Sequence, residues 1–249
     1  MARILLEVAG LCKSFGAVKA TNDLSFTIVR NHIHALIGPN GAGKTTVVNQ
    51  LSGDLHPDSG DILFNGVNVT GQKAHQRARL GIGRSFQITH IFENLTVAEN
   101  MALALCAHSG HNLKFLRHWK RSVPVQAELA SSLEEIDLLQ RANVRARQLS
   151  HGEKRQLEVG MAMVGKPELL ILDEPMAGLG PGGTAELTKL IGKLKGKLTV
   201  LLVEHDMDVV FSLADRVTVL VYGQNLATGT PEEIRNNAQV RAAYLGEEN

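Results

Sequence analysis

The segment Gly38-Pro39-Asn40-Gly41-Ala42-Gly43-Lys44-Thr45-Thr46 fits G-x-x-x-x-G-K-[ST], a phosphate-binding loop. Small residues let backbone N–H groups turn onto phosphate oxygens, and a helix that follows adds its positive end. Lys44 is placed to reach β- and γ-phosphates as a point charge. Thr45 offers its hydroxyl to a magnesium ion. Two further apolar runs end in chemistry-bearing residues: Leu169-Leu170-Ile171-Leu172 leads into Asp173-Glu174, and Leu198 to Val203 leads into Glu204-His205. Phosphoryl transfer to water needs magnesium near the β- and γ-phosphates and a group that positions the water. Asp173 suits the first task and Glu174, as general base, the second. Alone, a carboxylate pair closing a strand is common as a solvated turn; a phosphate loop on a neighbouring strand changes the reading. A lone histidine is more often structural, but the strand ends neighbouring His205 would carry the phosphate loop and Asp173-Glu174, which makes it a candidate γ-phosphate contact.

Three weaker signals accompany these. Gln87 lies where an α/β pattern gives way to a helical one, and its amide could touch magnesium or the attacking water. Leu149-Ser150-His151-Gly152-Glu153 precedes a helix read from Lys154 to Met163, and Ser150 or Gly152 can cap it and so create an anion site. Phe15, beside Gly16, is either a hairpin plug or a platform for an adenine ring.

The elements that must position these residues are legible as patterns. His32 to Ile37 reads as a buried strand entering the phosphate loop, and Thr45 to Leu51 as the opening of a helix. Ile4–Val8 and Leu24–Val29 read as strands. Asn65-Gly66 between apolar runs signals a β-hairpin. Gln72 to Leu80 reads as a helix, and Gly81 to Gln87 as a strand running into a loop. Residues 88–149 turn helical: Thr96 and Glu99 form a capping box, and Leu129, Leu133, Ile136 and Leu139 follow helical spacing. From Ser150 the α/β pattern returns, with Val217–Val221 as a further apolar run. Continuous apolar runs alternating with helices predict parallel strands buried on both faces, whose sites gather at the strand C-terminal ends.

Composition narrows the classes. The 249 residues carry a formal net charge of +1, so no global field recruits nucleic acid or membrane. No run approaches a membrane span, and Glu7 interrupts the short apolar start that a secretion signal would need. Cys12 and Cys106 follow no metal or redox spacing, which fits a reducing cytoplasm. The basic-aromatic stretch Lys114-Phe115-Leu116-Arg117-His118-Trp119-Lys120-Arg121 reads as an exposed turn rather than a nucleic-acid or lipid contact.

Taken in order, these motifs resemble an ABC-transporter ATPase subunit over nearly the whole chain. The matching parts are an aromatic loop at Phe15, the phosphate loop Gly38 to Thr46, a glutamine loop at Gln87 and the signature Leu149 to Glu153. Asp173 with Glu174, the D-loop Met176-Ala177-Gly178-Leu179-Gly180 and a switch histidine at His205 complete the series. Each short motif but the first is weak alone; their joint order is specific. The resemblance implies one ABC ATPase domain over 1–249. A P-loop core (1–87 and 150–249) would have a mostly parallel sheet and an N-terminal antiparallel β subdomain, with a helical insertion at 88–149. It implies ATP and Mg2+ as ligands, with Phe15 on adenine, and Thr45, Gln87 and Asp173 near the metal. Ser150 and Gly152 would contact ATP held by an opposite subunit in a head-to-tail pair, homo- or heteromeric. The helical insertion would receive permease subunits, placing the chain peripherally at the cytoplasmic face of the inner membrane.

Further stretches, Gly83-Arg84-Ser85-Phe86-Gln87, Glu204-His205-Asp206-Met207, Gly229 to Asn237 and Ala243 to Glu247, resemble ATPases of branched-chain amino acid importers. Such systems add a second ATPase, two permeases and a periplasmic binding protein. Importers of urea or short amides and the lipopolysaccharide-export ATPase share much of this pattern. Three departures stand out: His151 replaces the middle glycine of the usual LSGGQ, Glu153 replaces its glutamine, and Gly180 stands where many members have aspartate. A side chain at 151 needs room and a backbone that avoids or tolerates the left-handed region. A soluble ABC ATPase acting on nucleic acid fits a single near-neutral cassette less well. A small-molecule P-loop kinase leaves Gln87, Ser150-His151-Gly152 and His205 without a joint role, and a binding module without turnover leaves Glu174 unexplained.

Overall fold

The computed structural model describes residues 3–84, 91–109 and 123–245. Gln87 and the stretch Lys114–Arg121 lie outside them. Strands β1 (Ile4–Phe15) and β2 (Val18–Val29) form a long antiparallel hairpin, each longer than its apolar run suggested. Their tips, closing on the Phe15–Val18 pair, are exposed and carry no buried apolar pattern. β3 (Ile33–Ile37), buried at every position, enters the phosphate loop and α1 (Lys44–Ser52). β4 (Ser59–Phe64) turns through Asn65 and Gly66, both at positive φ, into β5 (Val67–Asn68). Two positive-φ residues match the right-handed twist of a hairpin. α2 (Ala74–Arg79) and β6 (Ile82–Arg84) follow.

Next come α3 (Val97–Ser109), α4 (Val123–Glu135) and α5 (His151–Met163). β7 (Leu169–Asp173), α6 (Pro181–Gly192), β8 (Thr199–Val203) and α7 (Met207–Leu213) follow. The chain then runs through β9 (Arg216–Val221), β10 (Gln224–Gly229), α8 (Pro231–Asn236) and α9 (Ala238–Leu245).

The strands make two sheets, an antiparallel one in the order β2-β1-β4-β5 and a six-stranded one in the order β10-β9-β3-β8-β7-β6. The second is parallel except for β10, which pairs antiparallel with β9. β3, β7 and β8 are covered on both faces, which is why each reads as an unbroken apolar run. β10, polar and half-exposed at the sheet edge, has no such run to announce it. The expectation that Asp173 sits on a strand neighbouring the phosphate-loop strand needs correction: β8 lies between β3 and β7. The expectation for His205 fares better, since β8 has the phosphate-loop strand on one side and β7 on the other.

The chain divides into two compact units. The first holds both sheets, with residues up to Arg84, Glu168–Glu174 and Leu194 onward. Its main core joins the two sheets and α1 through Leu6, Ile28, Val47, Leu51, Ile62, Ile171 and Leu201. A second core packs Val210, Ile234 and Val240 against Ile37 and Val219. The second unit takes in Ser85–Pro167 and Pro175–Lys193, so α5 and α6 group with the helices, beyond the 88–149 block read from the sequence. Within it, Thr96 and Glu99 exchange the expected capping bonds at 2.9 and 3.1 Å. α5 approaches its neighbours closely at Gly160, where a Cβ would lie 2.6 Å from Ile136 Cδ1 and 3.0 Å from Met101 Cε. Among the described residues, no helix is long and apolar enough to cross a membrane.

Candidate nucleotide site

The phosphate loop is shaped by two backbone approaches that exclude side chains. A Cβ on Gly38 would stand 2.2 Å from the Leu220 carbonyl oxygen, and one on Gly43 would stand 2.1 Å from that of Ala20. Gly43 also has φ 104° at the start of α1. The loop is thus wedged between β9 and β2, and the Gly223 amide ties it further by donating to the Ala42 carbonyl at 3.0 Å. On the other side, a Cβ at Gly41 would meet only open space. Lys44 opens α1 and is nearly buried. Its ammonium donates to the carbonyls of Gly38 at 2.6 Å and Pro39 at 3.0 Å, which holds the cation over the loop. Thr45 is exposed on the first turn and Thr46 is half-buried.

Asp173 closes β7 and is almost fully buried. Burial pushes its carboxyl above the ordinary value, against the pull of the Arg84 guanidinium, whose Nη2 donates to Oδ2 at 3.2 Å. Glu174 follows at φ 47°, half-buried, with its amide donating to the Val203 carbonyl at 2.9 Å. A left-handed backbone at a non-glycine residue costs free energy and re-aims the side chain off the strand line. β8 continues into Glu204, fully buried, whose Oε2 accepts from the His205 amide at 3.1 Å. The His205 imidazole itself is 65% exposed. Phe15 sits at the β1–β2 hairpin tip, about half exposed, with the Lys13 ammonium 5.8 Å from its ring centroid. Lys13 is tied to Asp58, which also accepts from the Ser14 amide at 2.8 Å.

These features fit a nucleotide with a hard divalent cation. Among the described residues, no cluster of His, Cys, Asp and Glu could hold a metal alone. The oxygen donors at hand, the Thr45 hydroxyl and the Asp173 carboxylate, are a partial set of the kind magnesium completes with phosphate oxygens and water. The loop, open at Gly41 and followed directly by a helix N-terminus, has the form of a phosphate cradle.

The ABC transporter family model matches residues 21–177, well over half of the chain. The chain belongs to the ABC transporter family. Membership makes it an ATP-binding, ATP-hydrolysing cassette. A second model, for the branched-chain amino acid ATP-binding cassette transporters, matches 224–249, which takes in β10, α8 and α9. The cassette is 42% identical to the high-affinity branched-chain amino acid transport ATP-binding protein BraF of Pseudomonas aeruginosa, covering 99% of this chain and all of that one. Identity to the corresponding LivG protein of Escherichia coli K12 is also 42%, with the same coverage. The lipopolysaccharide export system ATP-binding protein LptB of Haemophilus influenzae is 34% identical over 98% of both chains. Among solved structures, a nucleotide-free ATP-binding cassette from an ABC transporter superposes with a TM-score of 0.84 at 29% identity, covering 98% of this chain and 100% of that one. A cassette in its ADP conformation gives 0.85 at 28%, with the same coverage.

The signature segment of this ABC cassette lies in the second unit. Ser150 caps α5: its hydroxyl accepts from the Glu153 amide at 3.2 Å, and Glu153 accepts from the Ser150 amide at 2.8 Å. Burial raises the Glu153 carboxyl, but hydrogen bonds from Arg141 and Ser150 outweigh it and hold the group below its ordinary value. The glutamate that replaces the family's glutamine therefore closes a capping box and an ion pair to Arg141 at 2.8 Å. His151 is the first residue of α5, with helical rather than positive-φ backbone and an exposed side chain, so its accommodation needs no strain. Gly152 is buried against α6, where its Cβ would lie 3.1 Å from Gly183 Cα.

Three polar residues were given no role of their own in the sequence reading. Arg84 bonds the Asp173 carboxylate, Arg77 is fully buried and donates to the Gln50, Leu51, Thr70 and Gln72 carbonyls, and Glu204 is fully buried beside His205. Only Glu204 had a local signal, its place at the end of an apolar run.

Proposed function

We propose that this chain powers an importer of branched-chain amino acids as one of its ATP-hydrolysing subunits. The observation that carries the reading is the 42% identity, over nearly the full length of both chains, to two proteins named for that transport, joined to the C-terminal family match at 224–249.

In this reading Gly38 to Thr46 wrap the phosphates of ATP, Lys44 contacts the β- and γ-phosphates, and Phe15 stacks on adenine. Thr45 and Asp173, with Gln87, hold Mg2+, which when bound offsets charge developing on the phosphates. Glu174 is the general base for the attacking water, and its left-handed backbone supports that role by turning the side chain away from the strand. His205, exposed beside the end of β7, contacts the γ-phosphate. Ser150 and Gly152 grip ATP held by a second ATPase subunit in a head-to-tail pair. Permease subunits dock on the helical unit, and a periplasmic binding protein acts through them, with this chain peripheral at the cytoplasmic face of the inner membrane. The whole chain, 1–249, works as a single ABC ATPase domain. ATP binding shifts the pair toward its closed state, and hydrolysis releases it.

The likeness to LptB supports one other reading, an ATPase for lipopolysaccharide export. A pull-down of tagged protein from solubilised native membranes separates them. Two polytopic permeases with a second ATPase and a binding protein are the expected catch. Export components in their place would overturn the importer reading.

A further inference from the structure

Arg84 is the last residue of β6, and its guanidinium joins the last turn of α1 to the Asp173 side chain. Nη1 donates to Asn49 Oδ1 at 2.7 Å, to Ser52 Oγ at 3.1 Å and to Asp54 Oδ2 at 2.9 Å. Asn49 and Ser52 form the last turn of α1, and Asp54 follows it. Ser52 Oγ donates in turn to Asp54 Oδ2 at 2.6 Å, so the acceptors are themselves locked together. From the other arm, Nη2 donates to Asp173 Oδ2 at 3.2 Å. The link is built into the interior: the Arg84 side chain is 12% exposed and that of Asp173 is 1% exposed.

The two ends of this bridge carry two of the three protein groups assigned to the cation, Thr45 and Asp173. α1 begins with Lys44 and Thr45 and is only nine residues long, so fixing its last turn fixes its first. Asp173 ends β7, which β8 separates from the strand leading into α1. The β3-β8-β7 ladder sets the strand backbones in register, with Val203 paired to both Leu36 and Asp173; the planar Arg84 fork, bonded to both α1 and Asp173, fixes the carboxylate itself against the helix. Groups that orient a metal ligand without touching the metal are commonly as influential as this.

We infer that Arg84 is a positioning residue for the magnesium-dependent step, holding Asp173 in register with the phosphate-loop helix. The inference rests on the proposed nucleotide reading and deepens it. In this role Arg84 acts through Asp173 and α1.

The test is the affinity of a fluorescent ATP analogue, N-methylanthraniloyl-ATP, measured with magnesium and with EDTA, on wild type, Arg84→Lys and Asn49→Ala. A lysine keeps the positive charge but has one donor centre, which cannot bridge both partners as the fork does. For Arg84→Lys, magnesium-dependent affinity is expected to fall about tenfold while EDTA affinity stays at the wild-type level. Asn49→Ala, which loosens only the α1 end, should show a smaller loss with the same selectivity for magnesium. Circular dichroism and thermal melting confirm that each variant is folded. Equal losses with and without magnesium, or no loss in either variant, would overturn the inference. Wild-type protein that binds the probe equally with and without magnesium would overturn the cation assignment to Thr45 and Asp173, and the role of Arg84 with it.

Discussion

The Lys44 ammonium donates to the carbonyl of Gly38 at 2.6 Å, six residues earlier in the chain, so the side chain closes its own loop. A nearly buried ammonium needs acceptors, and the Gly38 and Pro39 carbonyls supply them. Lys44→Ala removes a charged donor from a site of small residues. Its nucleotide affinity is expected to fall about 10- to 100-fold, the scale of a charge-assisted hydrogen bond. A fluorescent-nucleotide titration checks this, and unchanged affinity would remove Lys44 from the site.

Glu174→Gln keeps the size and the left-handed backbone of the residue but removes its basicity. Turnover is expected to drop at least about 100-fold, the usual span of a general base, with ATP affinity retained. Phosphate-release kinetics beside a binding titration separate the two effects. Hydrolysis at the native rate would show that another group positions the water.

His34 supplies a pH prediction. It is buried in β3 with Nε2 2.8 Å from Thr218 Oγ1, and burial, helped by Arg216 and His32, lowers its pKa from 6.5 to about 3. Because the folded form resists protonation and the unfolded chain does not, stability is intact above pH 6.5 and is lost as pH falls from there toward 3. This group alone is expected to cost about 2 kcal/mol on going from pH 6.5 to 5. In urea titrations at pH 7 and 5, His34→Gln should show a correspondingly smaller fall between the two pH values. An identical fall in both proteins would mean that His34 is not the acid-sensitive group.

Gly152 and Gly183 make an asymmetric pair. A methyl on Gly152 meets the Gly183 backbone at 3.1 Å, while one on Gly183 finds ordinary contacts at 3.5 Å or more. Gly152→Ala is therefore expected to destabilise the helical unit by about 1–2 kcal/mol through overpacking. Gly183→Ala should be close to neutral. Thermal melting of the two variants decides, and equal shifts would refute the packing argument.

Much of the fold was legible because its signals are short-range. The phosphate loop, the capping box at Thr96–Glu99, the cap at Ser150 and the Asn65-Gly66 turn each sit within a few consecutive residues, where φ preference and side-chain reach act directly. β3, β7 and β8 announced themselves because strands buried on both faces must be apolar throughout. The antiparallel edge strand β10 did not, since half-exposed polar residues carry no such demand.

By itself, then, the sequence determined which residues end each buried strand and which loop is shaped for phosphate, for these follow from local backbone geometry and burial. The tertiary structure alone decided that β8 lies between β3 and β7, that Arg84 meets Asp173 across 89 residues of chain, and that Arg77 caps the end of α1 from within the core. An apolar run states that a strand will be covered but not by which neighbour. A lone arginine states that it needs acceptors but not where they are. Those choices are made by the packing of the whole, in which each buried polar group must find its partner at the same time.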